Sequence, residues 1–371
     1  MADYDGDGDL DLFLAALEGA GGSGAGKLFR NTAAGSADGQ PRFVEATADA
    51  GLGAPGGSAV DAAWADFDGD ARPDLYIARA SGGDLVFRNL GEGKFAPASG
   101  RAFNRQIRAS GGVAVADFDA DGRPDLFRAG AGADSRARLL AEIAAPPGVS
   151  PQNGLFLNRG ALRFQECAAA YGIARTGMMR AAAAGDFDAD GRIDLLALAG
   201  APRDFLHADH TAQAAPALRA GANLLAAYAG APVLAQPGRA WRGEAGGFAD
   251  ASVDWGLDAP GVNLAMAAAD LDRDGDLDLI EIGLGAPARV LANAGTDPRG
   301  ILVRLRGTGW NTFGIGARLE FAGAAGQQVR WIAAGGSEPV AHLGLGKAES
   351  LAKLDVVWPS ARAPRTARPA R

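Results

Sequence analysis

Apolar residues in this chain come in short runs, and the runs alternate with polar turns. Five of them, DLFLA, DLYIA, DLFRA, DLLAL and DLIEI, each leave an Asp-rich loop, and runs such as GGVAVA and NLAMAAA enter one. Runs this short, bounded by turn residues, predict a strand into each loop and a strand out of it. A second pattern trails the loops, in LFRNTAAGSADGQPRF, LVFRNLGEGKF, LFLNRGALRF and RAWRGEAGGF. It reads as an apolar strand, usually ending in Arg-Asn or Leu-Asn, then a Gly-rich turn, a Phe and a short strand. The unit is strand, loop, strand, strand, turn, strand, which predicts a four-stranded propeller blade. Asn31, Asn89 and Asn158 are placed to close the outer hairpin as Asx turns.

The loops start 63, 51, 69 and 84 residues apart. The shortest interval sets the blade, and the longer ones carry inserts. DSRARLLAEIAAPPG predicts a helix from Asp134 that ends before Pro146, and FLHADHTAQAAPALRAGANLLAAYAG predicts a short helix. Further on, ILVRLRG, ARLEFAG, QQVRWIA and KLDVVW alternate apolar and polar residues between Gly turns, as half-buried strands do. The expected fold is all-β: a β-propeller of about five four-stranded blades, the first incomplete, over 1–295, a small β domain over 296–360, and a disordered basic tail over 361–371. Only Met-Ala precedes the first loop, so its entering strand is missing. Either the true start lies upstream of Met1 or a strand from elsewhere fills the gap; the first is the expectation, and a signal peptide would then lie upstream too.

The loops themselves carry the chemistry. Each has Asp at positions 1, 3, 5 and 9: Asp3, Asp5, Asp7, Asp11; Asp66, Asp68, Asp70, Asp74; Asp117, Asp119, Asp121, Asp125; Asp186, Asp188, Asp190, Asp194; and Asp270, Asp272, Asp274, Asp278. Four carboxylates in nine residues repel one another unless a cation lies between them. Ca²⁺ takes six to eight hard oxygens in flexible geometry, and alternate Asp side chains on a tight loop can converge on it. The seventh residue, Asp9, Arg72, Arg123, Arg192 or Asp276, would add its backbone carbonyl, which explains why Arg is tolerated there. Up to five Ca²⁺ are expected. Position 6 is Gly8, Gly122, Gly191 or Gly275, but Ala71 in the second loop, which is expected to be the weakest site. An EF-hand would need a carboxylate at position 12 and flanking helices; only the last loop supplies one, Glu281, expected instead to point to solvent from a strand.

Charge sharpens this reading. The chain of 371 residues has a net charge of −8, with 44 acidic against 36 basic side chains. The four-Asp sets use 20 of the acids, so the remainder of the protein is net positive. The acidity is concentrated where a divalent ion would neutralise it. The 55 Gly and 19 Pro suit a fold made of turns, and no apolar run is long enough to span a bilayer. A single Cys167 excludes an intramolecular disulfide and is expected to be a small buried hydrophobe.

The Asp loops with their LFRN…GKF tails resemble FG-GAP/VCBS repeats, the units of integrin-α-type propellers, over roughly residues 1–295. The C-terminal segment resembles the ASPIC/UnbV domain of cartilage acidic protein-type bacterial secreted proteins. That match rests on Asn311, Gly314, Ile315, Gly316, Ala317, then Gly335, Gly336, Ser337, then His342, Gly344, Leu345, Gly346, then Trp358 and Pro359, with WPSA where the family has WPSG. The resemblance implies calcium in the loops and export from the cytoplasm. It implies no established reaction.

No catalytic constellation is visible. His207 and His210 supply two ligands, one fewer than a catalytic zinc needs, and His342 is expected to be satisfied by its neighbours. The function expected is that of a non-enzymatic calcium-binding module, extracellular or in the cell envelope, for adhesion or binding of protein or polysaccharide partners. Nucleic acid is not an expected partner. The alternative is an enzyme with a site in the propeller channel.

Overall fold

The computed structural model of the chain describes residues 1–16, 26–33, 40–53, 59–79, 83–103, 106–107, 110–130, 149–150, 153–174, 177–204, 207–222, 224–295, 300–307, 311–323, 326–333 and 339–359. The helix expected from Asp134, the basic tail, Gly335, Gly336 and Ser337 lie outside them. The fold is propeller-like and nearly all β, with 46% strand and 6% helix.

Each Asp loop sits in its own antiparallel sheet. Blade 1 is Leu12–Ala15, Gly26–Asn31 and Phe43–Glu45. Blade 2 is Ala59–Ala65, Asp74–Arg79, Leu85–Gly91 and Lys94–Pro97. Blade 3 is Ser110–Ala116, Asp125–Gly130, Gly154–Asn158 and Phe164–Glu166. Blade 4 is Met179–Gly185, Asp194–Ala199, Arg239–Glu244 and Gly247–Asp250. Blade 5 is Asn263–Ala269, Asp278–Gly283 and Arg289–Leu291. Strands follow chain order within each of these five sheets. Blades 2 to 4 have the expected four strands. Blades 1 and 5 each have three strands rather than four among the described residues.

The entering strands lie side by side in blade order, and their sequences show why they can. AVDAAWA, SGGVAVA, MRAAAAG and NLAMAAA are mostly Ala and Gly, so the backbones converge closely. A Cβ on Gly111 would lie 2.2 Å from the Met179 carbonyl oxygen, and one on Gly112 would lie 2.7 Å from the Ala182 nitrogen. The larger side chains fill four cores, one between each pair of blades. Position 2 of loops 1 to 4 plugs the core ahead of it. Tyr4 enters the core with Leu28, Leu75 and Phe87, Phe67 the one with Leu126 and Phe156, Phe118 packs against Phe127 and Trp241, and Phe187 joins Leu196 and Leu279. Leu271, the counterpart in blade 5, is exposed.

A buried ion pair links blades 2 and 3. The Arg128 side chain is 0% exposed, and its Nε lies 2.7 Å from Asp84 Oδ2. Tyr76 donates its hydroxyl to the same oxygen at 2.6 Å, and Arg79 its amide to Asp84 Oδ1 at 2.9 Å. A second buried acid departs from expectation. Glu281 is 2% exposed rather than solvent-facing, because Arg289 on the neighbouring strand lies 2.8 Å from its carboxylate. Cys167 is half-buried against the core between blades 3 and 4.

The insert before blade 4's third strand holds a helix, Ala208–Arg219, and a turn of helix at Leu224–Ala227. After blade 5 the chain forms two small sheets. Gly300–Val303 pairs with Ala341–Gly344, and Arg318–Gly323 is flanked by Gly326–Trp331 and Leu354–Val357. They enclose a core of Leu305, Ile315, Leu319, Phe321, Ile332 and Leu343, joined by Leu10 from the first loop.

Removing a carboxylate from a buried, hydrogen-bonded ion pair costs about 3–5 kcal/mol, because the remaining charge keeps its desolvation penalty. Asp84→Ala is therefore expected to lower the unfolding free energy by about that amount in a denaturant melt. A loss below about 1 kcal/mol, the value of an exposed pair, would show that the pair does not hold these blades together.

Candidate metal centres

The five loops fold alike because the same backbone groups bind the same carboxylates. The amide at position 6 donates to the first Asp: Gly8 to Asp3 at 3.0 Å, Ala71 to Asp66 at 2.8 Å, Gly122 to Asp117 at 2.9 Å, Gly191 to Asp186 at 3.0 Å and Gly275 to Asp270 at 3.2 Å. The amide at position 7 donates to the fifth-position Asp, as in Asp9 to Asp7, Arg72 to Asp70, Arg123 to Asp121, Arg192 to Asp190 and Asp276 to Asp274. This turn needs left-handed backbone at positions 4 and 6. In loop 2 Gly69 takes position 4 and Ala71 takes position 6 with φ 67°; the other loops carry Gly at position 6. A left-handed non-Gly residue costs roughly 1–2 kcal/mol. Loop 2 is thus not alone in that cost, since Ala120, Ala189 and Arg273 take it at position 4.

The ninth carboxylate is the deepest. One oxygen accepts the position-2 amide: Tyr4 to Asp11, Phe67 to Asp74, Phe118 to Asp125, Phe187 to Asp194 and Leu271 to Asp278, at 2.7–3.1 Å. The other accepts an amide from the next strand but one: Asn31, Asn89, Asn158, Gly243 or Asn293, at 2.7–2.8 Å. Those Asn do more than close turns. Asn31, Asn89 and Asn158 do accept the amide two residues on, as Asx turns. The Nδ2 groups of Asn89, Asn158 and Asn293 also reach the position-2 carbonyls of the preceding blade, at Tyr4, Phe67 and Phe187. Blade 4 has Gly243 here, where a Cβ would lie 2.3 Å from the Ile193 oxygen.

Carboxylate oxygens converge within 4.8 Å of one another in five groups: Asp3, Asp5, Asp11; Asp66, Asp68, Asp70; Asp117, Asp119, Asp125; Asp186, Asp188, Asp194; and Asp270, Asp272, Asp278. Positions 1, 3 and 9 thus meet in four loops. In loop 2 positions 1, 3 and 5 meet, and Asp74 stands outside the group. Asp7, Asp121, Asp190 and Asp274, at position 5, stand outside theirs. Sequence reasoning missed the Arg residues that guard these acids. Arg30 lies 2.7 Å from Asp5, Arg88 2.5 Å from Asp68 and Arg159 2.7 Å from Asp119, while Arg72 and Arg123 fold back onto Asp70 and Asp121. The Arg of the recurring Arg-Asn pair was the available signal for two of them. His207 and His210 join no such group: His207 Nδ1 caps the helix that follows by accepting the Asp209 amide.

The donor set fits a hard dication. Asp119 Oδ1, Asp186 Oδ1 and both carboxylate oxygens of Asp276 are buried with no hydrogen-bond partner. Such an arrangement is costly without a cation. Asp3, Asp5, Asp11; Asp66, Asp68, Asp70; and the three later groups would hold it, and a bound Ca²⁺ would supply fixed positive charge and cross-link the loop.

Burial also raises the proton affinity of these acids. It pushes Asp3 and Asp117 up to about 6, Asp11, Asp74 and Asp186 up to about 7, and Asp125 up to about 8; backbone N–H bonds act in the opposite sense. Native-state values lie above the unfolded value of about 3.9, so the metal-free native state binds more protons than the unfolded state over this range. Stability without metal is therefore expected to fall as pH rises from about 4 to about 8. Metal competes with those protons and reverses the slope. Thermal melts at pH 5 and pH 7.5 check this: in chelator the melting temperature should be higher at pH 5, and in saturating calcium higher at pH 7.5. A chelated protein that gains stability over the same rise would contradict the assignment.

Comparison with known proteins follows these residues. The family described as FG-GAP-like repeat matches residues 3–77 and 66–127, and the family described as ASPIC and UnbV matches residues 307–370. No curated protein matches the chain. Among solved structures, the V. cholerae biofilm matrix protein Bap1 is similar at 11% identity and a TM-score of 0.34, over 97% of this chain and 57% of that one. The exotype rhamnogalacturonan lyase YesX is similar at 16% identity and a TM-score of 0.32, over 91% of this chain and 59% of that one. The chain thus spans less than two thirds of the length of either. The matched families carry no catalytic assignment. The first match takes in loops 1 to 3 and the second takes in the sheet of Arg318–Gly323, Gly326–Trp331 and Leu354–Val357, so the chain carries FG-GAP-like repeats and a C-terminal ASPIC and UnbV domain.

Proposed function

We propose that this protein is a calcium-stabilised, non-enzymatic binding module of the extracellular space or cell envelope, with up to five Ca²⁺ in its loops and a protein or polysaccharide partner. The observation that carries the reading is the recurrence of a three-carboxylate cluster in all five Asp loops, built from positions 1, 3 and 9 in four of them and from positions 1, 3 and 5 in loop 2. Metal held there cross-links a blade at the point where its strands diverge. It also supports the contact with the neighbouring blade, because the position-2 residue inside the loop fills the core between them. Rigidity of this kind leaves the remaining surface loops free to vary, which suits recognition. The ligands proposed are the carboxylates at positions 1, 3, 5 and 9, with the carbonyls of Asp9, Arg72, Arg123, Arg192 and Asp276. Among the described residues no helix is long and apolar enough to cross a membrane, which is compatible with an exported module.

Native mass spectrometry in calcium buffer tests the metal reading. Wild type should retain up to five Ca²⁺ and Asp119→Ala should retain one fewer. Each site bound at a hundredfold excess over its Kd adds about 2.7 kcal/mol of stability, so chelation should lower the melting temperature steeply. Full stoichiometry in Asp119→Ala, or a melting temperature indifferent to calcium, would reject it.

A further inference from the structure

The C-terminal sheets stand on the Asp loops, and they reach three consecutive loops by the same atom. Arg318 donates from its guanidinium to the Gly122 carbonyl of loop 3 at 3.3 Å. Arg330 donates to the Gly191 carbonyl of loop 4 at 3.3 Å. His342 Nε2 lies 2.6 Å from the Gly275 carbonyl of loop 5, where the ring nitrogen must be the donor. All three carbonyls belong to position 6, the residue whose own amide is held by the first Asp. Loop 2 has Ala71 at that position and makes no hydrogen bond of this kind among the described residues.

The contact is close as well as repeated. The Gly346 amide donates to the Ala189 carbonyl of loop 4 at 2.8 Å. A Cβ on Gly344 would lie 2.0 Å from Asp186 Oδ2, and a Cβ on Gly300 would lie 2.0 Å from the Gly275 oxygen. Arg330 Nη2 lies 3.6 Å from Asp186 Oδ2, while Asp186 Oδ1 is buried and has no hydrogen-bond partner. One carboxylate therefore faces the C-terminal sheets with one oxygen and has the other free for a metal. A carboxylate shared between a metal and a hydrogen-bonding neighbour couples the two.

We propose that the ASPIC and UnbV domain is a latch that closes on the metal-loaded forms of loops 3, 4 and 5 and opens when they lose their metal. The inference rests on the metal reading above and adds a consequence to it. Metal keeps four like charges together in a nine-residue turn, and that turn sets where the position-6 carbonyl stands. Without metal the carboxylates repel, the turn opens, and three hydrogen-bond acceptors leave their register together. The surface of the domain that faces the loops would then be exposed, so the concentration of divalent ion outside the cell would control which face the protein presents. The cavity of about 90 Å³ between loops 3 and 4, walled by Asp117, Asp119, Arg192, Gln328 and Arg330, lies in this same junction.

Hydrogen exchange read by mass spectrometry tests the latch, with bound calcium counted on the same samples. Asp188→Asn removes an exposed candidate ligand of loop 4; Asp68→Asn removes the position-3 counterpart in loop 2, whose position-6 carbonyl those sheets do not bond among the described residues. In calcium, Asp188→Asn should speed exchange of 318–331 and 341–346 by about tenfold or more, matching chelated wild type, and Asp68→Asn should leave those segments unchanged. Equal effects of the two variants, or no effect of Asp188→Asn despite its loss of one calcium, would overturn the latch. Wild type that binds no calcium would overturn the metal reading beneath it.

Discussion

In each blade one buried carboxylate accepts a backbone amide on each of its two oxygens. The first amide comes from position 2 of its own loop and the second from a strand 15 to 49 residues further on. This single side chain fixes the curvature of the loop, the position of the third strand and the aim of the position-2 residue into the next core. Blade geometry, blade-to-blade packing and the convergence of the other acids all follow from it. Charge makes the arrangement conditional. A buried Asp with two N–H bonds is satisfied by itself, but in four loops positions 1 and 3 bring two more carboxylates within 4.8 Å, and in loop 2 positions 1, 3 and 5 crowd one another in the same way. Protons, arginines or a dication must offset them, and only a dication does so without giving up ionised ligands or blade packing.

The arginines show how the protein manages the same charge from outside. Arg30, Arg88 and Arg159 lie over the third and fifth positions of loops 1 to 3, at the rim where solvent screens them. Exposed pairs of this kind contribute about 0–1 kcal/mol each. That is too little to hold four carboxylates together, and it leaves the loop interior to a metal. Loop 4 is different: its first Asp is turned toward Arg330 of the C-terminal sheets. There the counter-charge comes from another part of the chain.

The convergence of the Asp loops was legible in the sequence because alternate residues at fixed local spacing on a tight loop bring their carboxylates together. The strands and the Asx turns were legible for the same reason, since each is a short-range signal. What the sequence hid was long-range. Asn158 reaches the Phe67 carbonyl 91 residues away, and Arg318 reaches Gly122 196 residues away; no local period marks either. Arg128 looked like an ordinary strand residue and is a fully buried ion-pair partner, because Asp84 meets it only when two blades pack. Glu281 misled in the opposite direction. It was expected to point to solvent from its strand, and Arg289 on the next strand makes its burial tolerable. Nor does any local signal mark Gly111 and Gly112, which sit where no Cβ fits because the strand of blade 4 lies against them.

The central claim is that a hard dication occupies each Asp loop and gives it its shape. Anomalous diffraction from crystals grown in millimolar calcium, or in a lanthanide substituted for it, measures this directly. The account predicts a strong peak inside each of the five loops, ringed by the carboxylates at positions 1 and 3 and bordered by the ninth. Loops that are splayed, with peaks absent or only at scattered surface acids, would contradict it.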